Sequence, residues 1–393
     1  MNLPATVSGR PVSNRGVHLA PFGFHAYWCE PKAARSYWLE LMQSMGMSWC
    51  VLITDSDSCL EEFGGKPVVQ WLLEAGIIPI VRWQAAIDTP FTGGPVVRRL
   101  VPIYAAFGLR PFFQIYNEPL DGREWSHSKP SWKVFVSRWN DAARQVIQAG
   151  GLPGFPDGPG YSFNPFHDID RSVWDEGAWY GVHNYSKGRP LSYPYDDVTQ
   201  HGTPLTEAEY RKALGIFADD KEWHDLPLDV INAQRAAWAS PGLTAVQDDV
   251  CWNAWQKVDH YANEVLGRSV LLAMTEGGWQ VRDRAGGGDR IDVRWPMTTP
   301  DMVAAKTLAM FEADCPMFCQ CPWLLACSAM GGSGWEYDSM IGWSFFDEHG
   351  FEKPVVKLLQ DHPPGQPPDL SGVKARLERA RGLLEQAAAA SSG

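Results

Sequence analysis

Short apolar runs alternate with segments of helical periodicity from about residue 20 to about residue 360. The runs are almost continuously apolar, which is typical of parallel strands buried on both faces. We predict strands at 21–28, 48–54, 77–83, 111–117, about 152–163, 178–185, 269–275 and 318–326. Helices are predicted between them, at 31–46, 67–76, 95–108, 130–150, 252–267 and 300–314. This alternation predicts an α/β fold, a (β/α)8 TIM barrel.

Two long polar segments interrupt the alternation, at about 186–250 and at 280–298. Both follow the C-terminal ends of predicted strands, where barrel enzymes build their sites, so we interpret them as loops that cover a substrate. We expect one catalytic barrel over 1–370, with 186–250 as an insertion within it. Residues 371–393 have high helix propensity and end in an Ala/Ser run, which predicts a surface helix with a frayed end.

Composition narrows the possible partners. The net charge of −12 disfavours nucleic acid and suits a neutral substrate such as a sugar. The 19 tryptophans offer flat faces for stacking on sugars, although many are expected to pack inside the barrel. The sequence shows neither a signal peptide nor an apolar stretch long enough to cross a membrane.

Eight cysteines are spread over 393 residues, several of them in strand-like runs. They resemble buried thiols more than a disulfide framework, so a cytoplasmic location is expected. Secretion stays open, because a removed signal peptide would leave no trace.

Two predicted strands end in a glutamate. The run Phe112–Asn117 leads into Glu118 and a proline, and the run Leu271–Thr275 leads into Glu276 and two glycines. Carboxylates at strand ends project into the barrel mouth, and such a pair is what acid-assisted cleavage of a glycosidic bond by a carboxylate nucleophile requires. Each glutamate alone could equally cap a loop or pair with a cation. Together they predict Glu118 as general acid/base and Glu276 as nucleophile.

Two neighbours of these glutamates are candidate substrate contacts. Asn117 can donate a hydrogen bond to a substrate hydroxyl, and Trp279 offers a stacking face close to Glu276.

These motifs resemble clan A glycoside hydrolases, in which the acid/base Glu follows Asn on strand four and the nucleophile ends strand seven. The His183-Asn184-Tyr185 run of predicted strand six is similar to the His-x-Tyr of cellulase-like family 5. The resemblance implies that His183 lines the site and that the Tyr185 hydroxyl hydrogen-bonds Glu276. Without it, His183 is a satisfied polar group and Tyr185 ordinary packing.

One departure from family 5 leaves the exact family open. That family usually carries an arginine on strand two, whereas 48–54 reads SWCVLIT. Arg82, at the end of predicted strand three, supplies a cation near the nucleophile in one interpretation and pairs with a loop carboxylate in the other.

Three further aromatic or imidazole side chains are candidates for substrate binding. Trp323 lies on predicted strand eight, where clan A enzymes often place a tryptophan under the sugar; the alternative is a core tryptophan. His25 and Trp28 end predicted strand one and offer a polar contact and a stacking face. Since neighbouring strand residues face opposite ways, at least one of His25, Tyr27 and Trp28 is expected in the core.

The sequence therefore predicts a retaining hydrolase of β-linked glycosides or polysaccharides that needs no cofactor and no metal. The cysteines do not repeat the paired spacing of zinc sites. Three alternatives stay open: a transglycosylase with the same two glutamates, a non-catalytic carbohydrate-binding barrel, and a metal-dependent hydrolase. The last needs a His/Asp ligand set that His25 and His183 alone do not make.

Overall fold

The computed structural model describes residues 3–19, 32–157, 164–216, 225–281, 292–326, 341–347 and 351–365. Within these residues eight parallel strands form one sheet in chain order: Gly16–His18, Trp49–Thr54, Ile78–Trp83, Phe112–Ile115, Leu152–Pro156, Trp179–Tyr185, Leu271–Gly278 and Met317–Gln320. The sheet closes through a parallel bridge between Arg15 and Gln320. The predicted TIM barrel is confirmed.

Each of the six predicted helices overlaps an observed one: Lys32–Ser44, Val68–Glu74, Gly94–Ala105, Trp132–Gln148, Trp255–Leu266 and Pro300–Glu312. The described part of the chain adds a barrel-facing helix at Pro354–Asp361, a short helix at Arg171–Asp175, and helices at Asp197–His201, Glu207–Ile216 and Leu228–Ala237 within the predicted insertion. The predicted tail helix at 371–393 and most of the 280–298 loop lie outside the described residues. None of the helices described here is both long and apolar enough to span a membrane.

The first barrel strand, Gly16–His18, comes earlier in the chain than the predicted range 21–28, which falls outside the described residues. Arg15 interrupts the apolar pattern here, so the strand is inconspicuous in the sequence. Gly16 is required by packing: a Cβ at this position would lie 2.5 Å from Cys321 Sγ and 2.9 Å from Trp49 Cβ.

Four aromatic rings from alternate strands fill one layer of the barrel interior. Trp49, Phe112, Trp179 and Phe318 come from the second, fourth, sixth and eighth strands, with neighbouring ring centroids 5.1–6.2 Å apart. Side chains from alternate strands form such layers in TIM barrels. His183 follows Trp179 by four residues on the sixth strand and so projects from the same face, above this aromatic layer.

The six cysteines within the described residues are free and buried, as predicted: Cys50, Cys59, Cys251, Cys315, Cys319 and Cys321.

Candidate active site

Glu276 lies inside the end of the seventh strand and is 4% exposed. The pairing of the sixth and seventh strands shifts by one residue, so that Val182 lies opposite Met274 and His183 lies opposite Glu276. This bulge brings His183 level with Glu276. Gly277 follows with φ +130°, where a Cβ would lie 2.5 Å from the Asn184 backbone, so the close turn after Glu276 needs glycine.

A buried arginine and a half-buried tyrosine donate hydrogen bonds to the Glu276 carboxylate. Arg82, which is 1% exposed, donates from Nη1 to Oε1, and the Tyr185 hydroxyl donates to Oε2 at 2.5 Å. Arg82 Nη2 also donates to the Thr275 carbonyl at 3.2 Å. His18 Nε2 lies 3.9 Å from Oε1, the oxygen that also accepts from Arg82. The carboxylate is therefore held in one orientation from both ends.

These contacts decide the ionisation of Glu276. Burial by itself would raise the pKa of this carboxyl, but the charges of Arg82, His183 and His18 and the Tyr185 hydrogen bond outweigh it. The pKa of Glu276 is held well below its ordinary value, so the group is a carboxylate at neutral pH.

Glu118 follows the fourth strand after a sharp change of direction at Tyr116, whose φ is +66°. Its side chain is 17% exposed, so it faces the barrel mouth. His183 Nδ1 lies 2.9 Å from Glu118 Oε1 and 3.7 Å from Glu276 Oε2. One oxygen of each carboxylate and a ring nitrogen of His183 lie within 4.8 Å of one another.

His183 bridges the two carboxylates and is buried. Burial opposes its protonation, but the nearby Glu276 and Glu118 carboxylates outweigh burial and raise the pKa of His183. The three groups could also reach a divalent cation. However, the buried Arg82 already supplies Glu276 with the positive charge that a cation would bring, and the two would repel each other.

Asn117 and a third carboxylate, Glu124, form a second polar cluster beside the pair. Asn117 Nδ2 donates to Glu124 Oε1 at 3.0 Å, and Gln84 Nε2 donates to Glu124 Oε2 at 2.7 Å. Burial raises the pKa of Glu124, against the effect of the Asn117 hydrogen bond and the Arg82 charge. Glu276 and Glu118 raise it further, so Glu124 lies within electrostatic reach of both.

Of three tryptophans near the carboxylate pair, two are half-buried and one is fully buried. Trp323 is half-buried and its ring packs on His18, with centroids 4.3 Å apart. Trp343, also half-buried, meets the Tyr185 ring edge-on at 5.2 Å. Trp279 is 2% exposed, and its Nε1 donates to the Arg189 carbonyl at 2.8 Å. The stacking face predicted for Trp279 is thus covered, and this ring instead connects the end of the seventh strand to the segment that follows the sixth strand.

The structure brings together most residues that the sequence singles out: Glu118, Glu276, Asn117, His183, Tyr185, Arg82 and Trp323. His25 and Trp28 lie outside the described residues. Sequence reasoning missed His18, Gln84, Glu124 and Trp343. Gln84 directly follows the third strand, so its position at a strand end was a usable signal, and His18 would have followed from a correct first strand.

No protein-family model matches the chain, and no curated protein matches it either. Solved structures do resemble it. The GH39 enzyme from Xanthomonas axonopodis pv. citri is 14% identical, with 91% of this chain and 67% of that chain covered and a TM-score of 0.46. A GH5_18 protein from Bifidobacterium longum subsp. infantis is 14% identical, with 95% and 90% covered and a TM-score of 0.45. An exo-β-1,4-mannosidase from Opitutaceae bacterium strain TAV5 is 11% identical, with 97% and 63% covered and a TM-score of 0.48.

Proposed function

We propose that this protein is a retaining glycoside hydrolase that acts on β-linked glycosides or polysaccharides. The observation that carries the proposal is the spacing of its two carboxylates, whose nearest oxygens lie within 4.8 Å. Retaining enzymes need a separation of about 5–5.5 Å for direct attack, whereas inverting enzymes need about 6.5–9.5 Å to admit a water. The short spacing favours direct attack.

In the proposed reaction Glu276 attacks the anomeric carbon while Glu118 gives its proton to the departing oxygen. The glycosidic bond breaks, and a glycosyl ester forms on Glu276. Glu118 then takes a proton from water, whose oxygen displaces Glu276 from the sugar. The hydrogen bonds from Arg82 and Tyr185 keep Glu276 ionised for attack. Glu118 is partly exposed, which suits a group that exchanges protons with the leaving group and with water.

The side chains around Glu118 and Glu276 suit the binding of a sugar. His183 contacts both carboxylates and can carry a proton that lowers their mutual repulsion. The half-buried rings of Trp323 and Trp343 offer apolar faces beside polar donors, the combination on which sugars stack. We assign the protein to the same clan A pattern that its motifs resemble, with the family left open.

The two glutamates are tested by leaving-group dependence, using 2,4-dinitrophenyl β-glycosides and an unactivated disaccharide. An acidic leaving group departs without a proton, so Glu118→Ala should retain far more activity on the dinitrophenyl glycoside than on the disaccharide. Glu276→Ala should lose both activities. A 2-fluoro glycoside with a good leaving group should label the wild-type protein at Glu276, as mass spectrometry of peptides would show.

Glu74→Ala serves as control, because this glutamate ends an outer helix and pairs with Lys66. It should keep wild-type rates, and EDTA should leave the wild-type rate unchanged. Equal losses of Glu118→Ala on both substrates, or a label on another residue, would contradict the assigned roles. A rate lost to EDTA and restored by a divalent cation would support a metal-dependent hydrolase instead.

A further inference from the structure

Glu124 is a third carboxylate at the site that the proposed reaction does not use. It belongs to the short 3-10 turn Gly122–Glu124 that follows the fourth strand. Its backbone is tied down as well, because Glu124 N donates to the Asp121 carbonyl at 3.1 Å and the Glu124 carbonyl accepts from Ile87 N at 2.9 Å. Glu124 is thus held between the loops that follow the third and the fourth strands.

Both oxygens of this carboxylate accept hydrogen bonds from side-chain amides, one from Asn117 and one from Gln84. A carboxylate can only accept, so it dictates that the nitrogen end of each amide faces it. An amide whose two ends were both uncommitted could rotate by half a turn at little cost. Within the described residues, the buried Asn117 Oδ1 has no hydrogen-bond partner. Glu124 is then the group that fixes which end of the Asn117 amide faces which way.

Asn117 directly precedes Glu118, so its orientation matters where the sugar binds. An amide nitrogen carries two hydrogens, and Glu124 takes one of them. The other remains available for a substrate hydroxyl. In glycosidases, hydrogen bonds to the sugar 2-hydroxyl strengthen in the transition state.

We propose that Glu124 is a positioning residue: it orients the Asn117 amide so that its second N–H donates to the 2-hydroxyl of the sugar whose bond is cleaved. This inference rests on the proposed glycosidase function and deepens it. Glu124 itself touches no reacting atom. Gln84 holds Glu124 from the opposite side and completes the chain of amide, carboxylate and amide.

The test compares each variant on two substrates. The first is the 4-nitrophenyl β-glycoside that the wild-type protein hydrolyses best among glucoside, mannoside, xyloside and galactoside. The second is its 2-deoxy analogue, which cannot make the hydrogen bond in question. Glu124→Ala should lower kcat/KM on the parent glycoside about tenfold to a hundredfold. This is the expected effect of losing the hydrogen bond from Asn117 to the 2-hydroxyl, a bond that strengthens in the transition state. On the 2-deoxy analogue the same variant should stay within about twofold of wild type, because the lost contact is already absent.

Glu124→Gln tests whether a neutral acceptor at this position restores the activity that Glu124→Ala loses. Its amide oxygen can still accept from Asn117 while its nitrogen faces Gln84, whose own amide can turn round. This variant should recover most of the loss seen in Glu124→Ala. Asp121→Asn is the matched control, because it removes the same charge from the same turn but keeps the oxygen that caps Arg123 N. It should behave as wild type on both substrates.

The outcomes distinguish a failure of this inference from a failure of the proposed glycosidase function. A wild-type protein that hydrolyses no glycoside overturns the proposed function and the inference together. An active wild type with equal losses on the parent and 2-deoxy glycosides for Glu124→Ala overturns the inference alone, since a merely structural role would lower both rates alike. A loss for Asp121→Asn equal to that of Glu124→Ala would assign the effect to the turn and would also overturn it.

Discussion

The Tyr185 hydroxyl is one of the two donors that keep Glu276 ionised, and it can be removed with little change in shape. Tyr185→Phe should raise the pKa of Glu276, because burial then has less opposing it. In the proposed reaction Glu276 must be ionised to attack, so activity should fall as the pH drops through its pKa. The acid limb of the kcat/KM profile should therefore move to higher pH, by about one unit or more for a lost hydrogen bond to a charged group.

Tyr180→Phe is the control for this shift. Tyr180 lies on the same strand and donates to Asp157 at 3.0 Å, away from the carboxylate pair. Its loss should leave the acid limb where it is. An acid limb that Tyr185→Phe also leaves in place would show that Arg82 and the two histidines keep Glu276 ionised without the Tyr185 hydrogen bond.

Residues at strand ends were predictable because a strand end is a local feature of the sequence. Glu118, Glu276, His183 and Tyr185 each stand at the end of an apolar run, and the barrel topology brings such ends together. For Arg82 the sequence left two possible partners, and the contact with Glu276 selects one. Glu124 gave no local signal, because its place depends on how the loop after the fourth strand folds back onto Gln84.

At the scale of elements, one arginine connects the two ends of the segment 186–250, which the sequence predicts to be an insertion. The Arg189 guanidinium donates to Asp248 at 3.1 Å and to the Val250 carbonyl at 2.8 Å, and it lies over the Tyr193 ring at 4.1 Å. Its carbonyl accepts from Trp279 Nε1, three residues beyond Glu276. Arg189 thus connects the base of the insertion to the strand that carries Glu276.

Arg189→Ala should separate the two ends of the insertion. If the insertion covers the substrate, the ratio of kcat/KM on a polysaccharide to that on an aryl glycoside should change severalfold, while the melting temperature falls by only a few degrees. Initial rates on both substrates and a thermal melt measure this.

Arg211→Ala, on an exposed helix of the same insertion and paired only with Glu207 in the described structure, should change neither quantity. An unchanged substrate ratio for Arg189→Ala would place the insertion outside the site.

Elements with a strong apolar pattern were easier to predict than those shaped by special packing. The second, third and sixth strands fall almost on their predicted ranges. The fifth strand, Leu152–Pro156, contains two prolines that hide its strand character in sequence. The eighth ends at Gln320, well before the predicted 326, because Pro322 follows and the chain turns toward His18.

At the scale of the whole molecule, the barrel is closed where its first and last strands meet. Arg15 lies at this seam, 2% exposed, with its backbone bridged to Gln320. Its guanidinium donates to the Met45 carbonyl at 3.2 Å and to the Leu359 carbonyl at 3.3 Å. Arg15 therefore links the end of helix Lys32–Ser44 to helix Pro354–Asp361 across the closure, although these two helices are far apart in the sequence.

Arg15→Ala should lower the stability of the whole barrel rather than alter the site. The substitution removes two hydrogen bonds, leaves two carbonyl oxygens short of a donor and opens a cavity beside Phe311, over whose ring the guanidinium lies at 5.6 Å. We expect the free energy of unfolding to fall by about 2–4 kcal/mol, which urea unfolding would measure.

Arg15→Met should lose less, because its side chain still fills the space beside Phe311. Arg99→Ala removes an exposed arginine that pairs with Asp57 and should change stability by less than about 0.5 kcal/mol. Because Arg15 is remote from the carboxylate pair, the folded fraction of Arg15→Ala should keep the wild-type kcat at 25 °C. An Arg15→Ala variant as stable as wild type would mean that backbone pairing alone closes the barrel.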